Sequence, residues 1–407
     1  MSHPAPPSID ATAATRLWTP SFVVISLQFL LVTSVLALFF PFQAHLLQLG
    51  FDAQTAGLLI GADAFSALLV QPLVALRVHP GNAGRWLAGG AACLAAALGA
   101  LSISTSFVSL LLGRLLQGLG FGCLMSALIA RMVAHIPPER SGQAFGWVSL
   151  VRLVPYAAVP ALLDAMHPGA GGFGHILQIG ALLALLPWVL GAFQKPGTLA
   201  NPSATTAAPG VAAARSSLRQ PAVLRLLLAS LALYSGYAAV FYYLRELGNH
   251  LGVADSGRFF SLASLVMMGV RLGFGAQFDR WNKTHLSVVG LVLVGLSYTL
   301  LPWASHPVPF FALAISVGLG WGVVMPLQSA LMFEVSDPAN RGLNQNLLLT
   351  TMQAGFTLGP VLAGVLLGWL GFAGLFVAAA ACTLAAALAT WAATATPGPL
   401  NRPGAKS

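Results

Sequence analysis

The chain has 407 residues, of which 57% are hydrophobic and only 7% are charged, and its formal net charge is +9. An ordinary soluble protein is about a quarter charged, so this composition excludes a water-soluble fold. The lysines and arginines stand singly between apolar runs instead of forming a basic patch, which argues against a nucleic-acid partner.

Apolar runs of about 20 residues recur along the chain, and each is long enough for a helix to cross the hydrocarbon core of a bilayer. We predict an all-α membrane protein with twelve transmembrane helices. In chain order the predicted spans are 20–44, 54–76, 85–105, 108–132, 143–165, 174–193, 222–244, 257–278, 285–304, 308–332, 343–367 and 372–395. Residues 1–19 are polar and lead directly into a full-length span, so we expect no cleavable signal peptide.

The longest interruption lies between the sixth and seventh spans, and its Ala, Pro, Ser and Thr composition is typical of a flexible linker. The predicted organisation is a tail at 1–19, a six-helix bundle at 20–193, the linker at 194–221, a second six-helix bundle at 222–395 and a tail at 396–407.

The distribution of basic residues predicts the orientation in the membrane. With the N-terminus inside, fourteen of the 19 lysines and arginines fall at or beyond cytoplasmic helix ends, whereas only Arg245 and Arg258 fall outside. Cytoplasmic loops are enriched in basic residues, so we predict that both termini and the linker are cytoplasmic.

The two halves of the chain are related by a repeat, because seven glycines and prolines of the first half coincide with their equivalents after a shift of 200 residues. The pairs are Gly57 and Gly257, Gly118 and Gly318, Gly120 and Gly320, Gly122 and Gly322, Pro138 and Pro338, Gly142 and Gly342, and Pro160 and Pro360. We therefore predict two pseudo-symmetric bundles, an architecture in which transporters place their site near the midplane.

Four charged residues lie well inside predicted spans, away from the span ends: Asp63, Arg114, Arg152 and Arg271. A charge at the bilayer centre costs about 2.5 to 3.5 kcal/mol on insertion scales, so it normally faces a partner or a wet cavity. At 1.5 Å per residue, Arg114 and Asp63 lie roughly 9 and 14 Å below the same surface, depths compatible with an ion pair. The other two charges must be matched by carbonyls, water or a substrate anion, unless the Arg271 side chain reaches the cytoplasmic interface.

Seven further residues inside spans are candidates for lining a cavity, although each also suits an interhelical hydrogen bond or packing. They are Gln28, Tyr234, Tyr237, Trp321, Gln328, Asn346 and Gln353. No histidines or cysteines show metal-ligand spacing, so we expect no metal site.

Two short motifs carry a family resemblance. The fourth span contains the pattern R-x-x-Q-G-x-G at Arg114, Gln117, Gly118 and Gly120, and the sequence GAQFDRWNK stands at the end of the eighth span, at 275–283. Together with the twelve spans and the repeat, these motifs resemble the major facilitator superfamily. A glycine and proline pattern of the antiporter type stands in the eleventh span rather than in the fifth, at Gly355, Gly359, Pro360 and Gly364.

The second motif brings Gly275, Asp279, Arg280 and Lys283 together at the end of the eighth span. Because Asp279 can accept charge-assisted hydrogen bonds from neighbouring bases, we predict a latch that holds one conformation and releases in another. The alternative is that the bases only orient the helix.

The resemblance implies a secondary active transporter that moves a small organic solute by alternating access, and we expect it to act as a monomer in a bacterial inner membrane, driven by the proton gradient. The arginine excess suggests a solute with a carboxylate or phosphate. We favour export on the resemblance to efflux members, with uptake of an organic acid or sugar-like metabolite as the alternative. A channel or a non-transporting receptor on the same fold is an alternative of a different class. The sequence carries no nucleotide-binding loop or catalytic constellation, so we expect neither an enzyme nor a cofactor.

Overall fold

The computed structural model describes residues 18–75, 77–78, 81–135, 141–166, 172–192, 211–274, 281–337 and 340–395, and the regular elements in these ranges are helical. The helices of the first half are α1 (Pro20–Ala37), α2 (Phe42–Gln48), α3 (Ala53–Ala75), α4 (Ala83–Leu101), α5 (Phe107–His135), α6 (Ser141–Val151), α7 (Val154–Met166) and α8 (Gly172–Ala192). Those of the second half are α9 (Val211–Leu218), α10 (Pro221–Leu251), α11 (Arg258–Phe274), α12 (Lys283–Leu300), α13 (Pro307–Val335) and α14 (Arg341–Ala395).

These helices make twelve passes, as predicted. Ten helical stretches among the described residues are long and apolar enough to cross a membrane. The last of them, Leu343–Thr394, has 52 residues and is broken at Gly371, whose φ of 64° interrupts the helix, so it makes two passes. The 17-residue α11 supplies the remaining pass. The predicted fold class is therefore confirmed.

Local sequence signals set several helix ends. The Thr19 side chain accepts a hydrogen bond from the Phe22 backbone N–H, and Pro20 occupies the first turn of α1, where its missing N–H costs nothing. At the C-terminal end of α10, Gly252 adopts the left-handed conformation that ends the helix. Within the fifth pass, Pro155 cannot donate to the carbonyl one turn earlier, and the helix is interrupted at 152–153.

One element departs from the prediction. The segment predicted as a flexible linker, 194–221, contains the helix α9 in its last part. The rest of that segment up to residue 210 lies outside the described residues, as do most of the two predicted tails.

We call the two ends of the helix assembly the terminal face, where α1 begins and α14 ends, and the distal face, at the opposite ends of the helices. Two helix pairs make the main contacts between the bundles: α3 packs on α14, and α7 packs on α11. Phe40 also packs across the bundle boundary, with its ring centroid 5.8 Å from that of Phe241 and 5.5 Å from that of Phe260. The distal half of the assembly is therefore closed by direct contact between the bundles.

Candidate functional site

Arg114 is the most completely buried charge of the described chain, with 0% of its side chain exposed. It extends from α5 to α3, where its Nε donates to the Leu59 carbonyl over 3.1 Å and its Nη2 donates to the Ile60 carbonyl over 2.6 Å. Its Nη1 donates to Gln117 Oε1 on its own helix over 2.8 Å. Carbonyls and an amide thus replace the water that the guanidinium loses on burial.

Asp63 supplies the opposite charge. Its Oδ1 lies 2.5 Å from Arg114 Nη2, and 14% of the Asp63 side chain is exposed. The two side chains whose depths are compatible with an ion pair therefore form one. The rings of Phe39 and Phe42 lie 4.6 and 5.0 Å from the Arg114 guanidinium carbon, positions that favour a cation over an aromatic face.

The glycines of the same motif bring α5 close to its neighbours. A Cβ on Gly118 would overlap the Asp63 carbonyl oxygen, and one on Gly120 would crowd the backbone of α4 at Leu94. Gly118 therefore sets the approach of α3 to α5 that lets Arg114 reach Asp63. Close helix approach is the role that small residues play in membrane helices.

Arg152 lies in the break between α6 and α7, six residues after Gly146, the first residue of the span Gly146–Met166. At 1.5 Å per residue this is about 9 Å into the helix pass. Within the described chain its side chain makes no hydrogen bond or ion pair, and its Nε is buried without a partner. Its charge therefore has no counter-charge among the residues that the structure describes.

Arg271 comes from the other bundle, on α11. Its Nη1 donates to Ser149 Oγ on α6 over 2.7 Å, so the side chain crosses the boundary between the bundles. Its Nη2 lies 3.1 Å from Met325 Sδ, and its Nε is buried without a partner. Arg271 therefore points into the interface between the bundles, which rules out the alternative of a side chain reaching the membrane surface.

Two tyrosines connect these charges. The Tyr156 hydroxyl interacts electrostatically with both Asp63 and Arg152. The Tyr234 hydroxyl does so with Arg152 and Arg271, and the two arginines repel each other. Asp63, Arg114, Arg152 and Arg271 therefore belong to one electrostatically connected group with a surplus of positive charge. Sequence reasoning missed Tyr156, because an isolated tyrosine beside Pro155 carries no pattern that indicates its partners.

Three of the residues predicted to line a cavity are instead buried in helix packing. Gln28 Nε2 donates to the Pro187 carbonyl over 2.6 Å within the first bundle. Trp321 Nε1 donates to the Tyr298 hydroxyl over 3.1 Å, and Gln328 Nε2 donates to Thr390 Oγ1 over 3.1 Å, both within the second bundle. A polar residue type does not reveal which side of a helix it occupies, so both readings were open from the sequence.

The other four such residues divide differently. Tyr234 and Tyr237 are half-buried on one face of α10, and their rings lie 5.7 and 5.9 Å from that of Phe356. Gln353 on α14 is also half-buried. The Asn346 side chain lies outside the described residues. Phe356, which the sequence did not single out, completes this aromatic group.

The predicted latch lies only partly in the described chain. Residues 275–280, with Gly275, Asp279 and Arg280, lie outside it. Lys283 is described, and its Nζ lies 2.5 Å from Glu334 Oε1 at the end of α13. The latch therefore stays a prediction, to which Glu334 is added as a partner of Lys283.

A second buried ion pair was not predicted. Asp164 on α7 is 6% exposed, and its Oδ1 lies 3.0 Å from Arg245 Nη1 on α10. Its Oδ2 accepts a hydrogen bond of 2.5 Å from the Gly257 backbone N–H. This cluster joins the two bundles near the distal face.

Other parts of the described chain offer less. The described residues contain no cluster of three or more histidine, cysteine, aspartate or glutamate side chains that could hold a metal ion. A small crevice between α10 and α14, lined by Ser235, Gly359 and Cys382 among others, has a volume of about 40 Å³ and no charged side chain. It is too small and too apolar to compete with the charged group as a solute site.

Comparison with known proteins gives a consistent picture. The profile of the Major Facilitator Superfamily matches residues 22–344 and 274–407. YhhS of Escherichia coli (strain K12), an uncharacterized MFS-type transporter, is 24% identical over 377 residues, which cover 84% of both chains. MdtH of Proteus mirabilis (strain HI4320), a multidrug resistance protein, is 31% identical over 126 residues, but this match covers only 29% of the present chain and 31% of MdtH. The crystal structure of the nucleoside transporter NupG superimposes with a TM-score of 0.75 at 14% sequence identity, over 93% of this chain and 100% of NupG.

Proposed function

Since the chain belongs to the Major Facilitator Superfamily, we propose that it exports a small organic solute by alternating access in exchange for protons. The two bundles rock against each other around a site at the level of the charged group, so that the site opens to one face at a time. The name of the MdtH relatives, multidrug resistance protein, supports export as the direction. We also propose that the terminal face is the cytoplasmic one, because the basic residues are concentrated at that end of the helices.

The observation that carries proton coupling is the pair of Asp63 and Arg114. Asp63 is the partly exposed member, with 14% of its side chain accessible, whereas Arg114 is fully enclosed. A proton can therefore reach the carboxylate, while the guanidinium keeps its charge because arginine does not deprotonate in proteins. Protonation of Asp63 removes the charge–charge attraction for Arg114 and weakens the hydrogen bond between them, so the arginine depends more on its carbonyl and amide partners.

The opposite bundle is placed to detect that change. The Tyr242 hydroxyl on α10 interacts electrostatically with both Asp63 and Arg114. Neutralising the carboxylate changes the electric field at Tyr242. It therefore changes the stability of the arrangement in which the two bundles meet at this level, relative to the arrangement in which they are apart. A proton bound in one bundle is thereby linked to the position of the other.

The test uses purified protein in liposomes and the solute that gives the largest thermal stabilisation in a screen of organic acids. Wild-type protein should show saturable uptake with counterflow and accumulation driven by a pH gradient; a channel would show no counterflow. Asp63→Asn should abolish accumulation and retain exchange, because the loaded site still alternates without a proton. Normal pH-driven accumulation in this variant would contradict a coupling role for Asp63.

Arg114 variants supply the matched comparison. Arg114→Lys keeps a positive charge, whereas Arg114→Ala leaves Asp63 without its partner, so the alanine variant should transport less. Folding must be checked by monodisperse elution, since an unpaired buried charge also destabilises the protein. Equal transport by both variants would show that the charge of Arg114 has no part in the cycle.

A further inference from the structure

Arg152 and Arg271 are the charges that coupling through Asp63 does not use. Among the described acids, Asp63 pairs with Arg114 and Asp164 with Arg245, and neither Arg152 nor Arg271 takes part in an ion pair. Each keeps a buried Nε without a hydrogen-bond partner. Two guanidinium groups without a counter-charge in the described chain are matched by water or by an anion from elsewhere.

The two arginines come from different bundles and approach each other across the boundary. Arg152 stands at the α6–α7 break in the first bundle, and Arg271 stands on α11 in the second. They repel each other, although the bond from Arg271 to Ser149 of α6 holds the second bundle close to the first at this level. An anion between them would replace this repulsion by two attractions.

An aromatic wall adjoins the arginines. The Tyr234 hydroxyl lies within electrostatic range of both guanidinium groups, and its ring centroid lies 5.7 Å from that of Phe356. Tyr237, one turn further along α10, lies 5.9 Å from Phe356. These rings are held from behind by the buried Trp321, whose centroid is 5.6 Å from Tyr234 and 4.6 Å from Tyr237. The wall residues Tyr234, Tyr237 and Phe356 are all half-buried, so each keeps some accessible surface.

We propose that Arg152 and Arg271 jointly bind the carboxylate or phosphate group of an aromatic organic anion. The planar ring of the same solute packs against Tyr237 and Phe356. This inference rests on the proposed transport function and names the chemical class of its solute.

The chemistry of both halves of the site supports this class. A guanidinium presents its N–H groups in a planar fork that matches a carboxylate or a phosphate, and such charge-assisted hydrogen bonds are the strong ones. Aromatic rings prefer edge or offset contacts with other rings at centroid distances of 4.5 to 7 Å, the range already found within the wall. An uncharged solute would leave both arginines unmatched, and an aliphatic anion would forgo the ring contacts.

The arrangement also gives the anion a part in the motion of the bundles. Because its two arginine partners belong to different bundles, the bound anion favours the arrangement in which Arg152 and Arg271 are close. An empty site leaves their repulsion in place. Solute and bundle position are therefore linked through the same pair of side chains.

Binding is tested by calorimetry on purified protein in a neutral detergent with four probes. Benzoate and phenyl phosphate carry the ring with either anionic group, benzamide carries the ring without charge, and cyclohexanecarboxylate carries the charge without a planar ring. We expect a Kd of about 1 mM or lower for benzoate or phenyl phosphate, at least about tenfold weaker binding of benzamide, and about threefold to tenfold weaker binding of cyclohexanecarboxylate. Tighter binding of benzoate or of phenyl phosphate identifies the preferred anionic group, and either order supports the site.

Variants assign the binding to the named residues. Arg152→Gln and Arg271→Gln should each weaken aryl-anion binding by about tenfold or more. Arg258→Gln is the charge-matched control, because Arg258 is 63% exposed and pairs with Asp255 outside the interface. Phe356→Leu should remove most of the preference for benzoate over cyclohexanecarboxylate, whereas Phe311→Leu on α13 should leave it unchanged. Unchanged thermal unfolding temperatures show that the glutamine variants fold.

Three results would overturn the proposal: benzamide binding as tightly as benzoate, unchanged aryl-anion affinity in both glutamine variants, or no binding of either aryl anion up to about 10 mM. Failure of the proposed transport function is distinguishable. Asp63→Asn protein that binds benzoate normally yet accumulates solute like the wild type removes the coupling role of Asp63 and leaves the anion site intact. Normal proton-driven accumulation of a neutral solute by Arg152→Gln protein removes the anion site and leaves the coupling intact.

Discussion

The two contacts that join the bundles near the distal face are equivalent by the repeat, yet one is neutral and the other is ionic. In the neutral contact, between α3 and α14, Gly57 faces the Pro360 carbonyl. In the ionic contact, between α7 and α11, Gly257 faces the Pro160 carbonyl. A shift of 200 residues exchanges Gly57 with Gly257 and Pro160 with Pro360. The duplicated backbone thus builds the same approach twice.

The side chain four residues after each proline makes the difference. In α14 this position is Gly364, which lies against the Ala53 carbonyl of α3. In α7 it is Asp164, which binds Arg245 and the Gly257 backbone N–H. Packing and the hydrogen bonds of the Tyr243 hydroxyl hold the neutral contact together, whereas the ionic contact adds a buried charge pair. One side chain on a duplicated backbone therefore decides whether closing the distal face is a packing event or an electrostatic one.

The largest expected effect comes from breaking the ionic contact. Arg245→Ala leaves the buried Asp164 without its counter-charge and should destabilise distal closure by about 3 kcal/mol, the lower end of the range for a buried pair because Arg245 is 21% exposed. Spin labels on Thr105 and Ser305, exposed repeat equivalents on the two bundles, report the opening as a longer distance by double electron–electron resonance. The three native cysteines are replaced first.

Two variants control for this effect. Arg258→Ala removes a neighbouring but exposed arginine, which pairs with Asp255 over 2.7 Å, and should shift the equilibrium by less than about 1 kcal/mol. Removing both charges, with Asp164→Ala and Arg245→Ala together, should open the distal face less than Arg245→Ala alone, because no buried charge remains unpaired. Equal distances in the Arg245 and Arg258 variants would show that the pair does not hold the face closed.

The next largest effect is expected from the equivalent glycines of the two contacts, Gly57 and Gly257. A Cβ on Gly57 would overlap the backbone of α14, and a Cβ on Gly257 would overlap the Asp164 carboxylate and the α7 backbone. Alanine at either position should cost about 1 to 3 kcal/mol of distal closure. The same spin-label distance measures it, with Gly269→Ala on α11 and Gly368→Ala on α14 as controls, because nothing lies within 4 Å of a Cβ at those positions. A control variant that opens the face as far would place the effect in the helices themselves.

The sequence predicted the fold and one of the two buried ion pairs, and the contrast has a physical reason. The twelve spans follow from hydrophobic length, and the family resemblance rests on the two short motifs together with the spans and the repeat; the fold and the family are both confirmed. The pairing of Asp63 with Arg114 was accessible because the helical rise converts residue number into depth. The pairing of Asp164 with Arg245 could not be predicted from depth, because both residues fall near span ends, where water would normally solvate them. Their burial depends on which helices meet across the bundles, and spacing does not encode that.

The same limit applies to the candidate site. The sequence named the four intramembrane charges, and the structure connects them, but the connecting Tyr156 and the wall residue Phe356 were not found. Conversely, Gln28 and Gln328 were candidates by residue type and are buried in packing. Membrane spans are apolar on most sides, so their sequences give little sign of which face points to the other bundle.

A smaller effect is expected at the neutral contact. The Tyr243 hydroxyl is its polar link, 3.3 Å from the Pro360 carbonyl and 3.4 Å from the Ala53 carbonyl. Tyr243→Phe keeps the buried ring and should weaken distal closure by about 1 kcal/mol, the worth of a neutral hydrogen bond. Combined with Arg245→Ala, the two costs should add within about 0.5 kcal/mol, because the side chains bind different helices. Strong non-additivity would mean that the two contacts open as one unit.

The smallest effect concerns the start of α3, the helix that supplies Gly57 to the neutral contact. Asp52 Oδ1 accepts a hydrogen bond of 2.8 Å from the Thr55 backbone N–H, and the bonds with Thr55 hold the pKa of Asp52 below its ordinary value of 3.8. A carboxylate with a lowered pKa contributes stability above that ordinary value and loses the contribution as the pH falls through the lowered one. Asp52→Ala should therefore lower the unfolding temperature slightly at pH 7, and the difference should fade in acid as the wild-type carboxylate becomes protonated. Asp52→Asn, which keeps a capping oxygen without the charge, should lie between the two. A difference between Asp52→Ala and wild type that persists unchanged in acid would show that the carboxylate charge contributes nothing to this helix end.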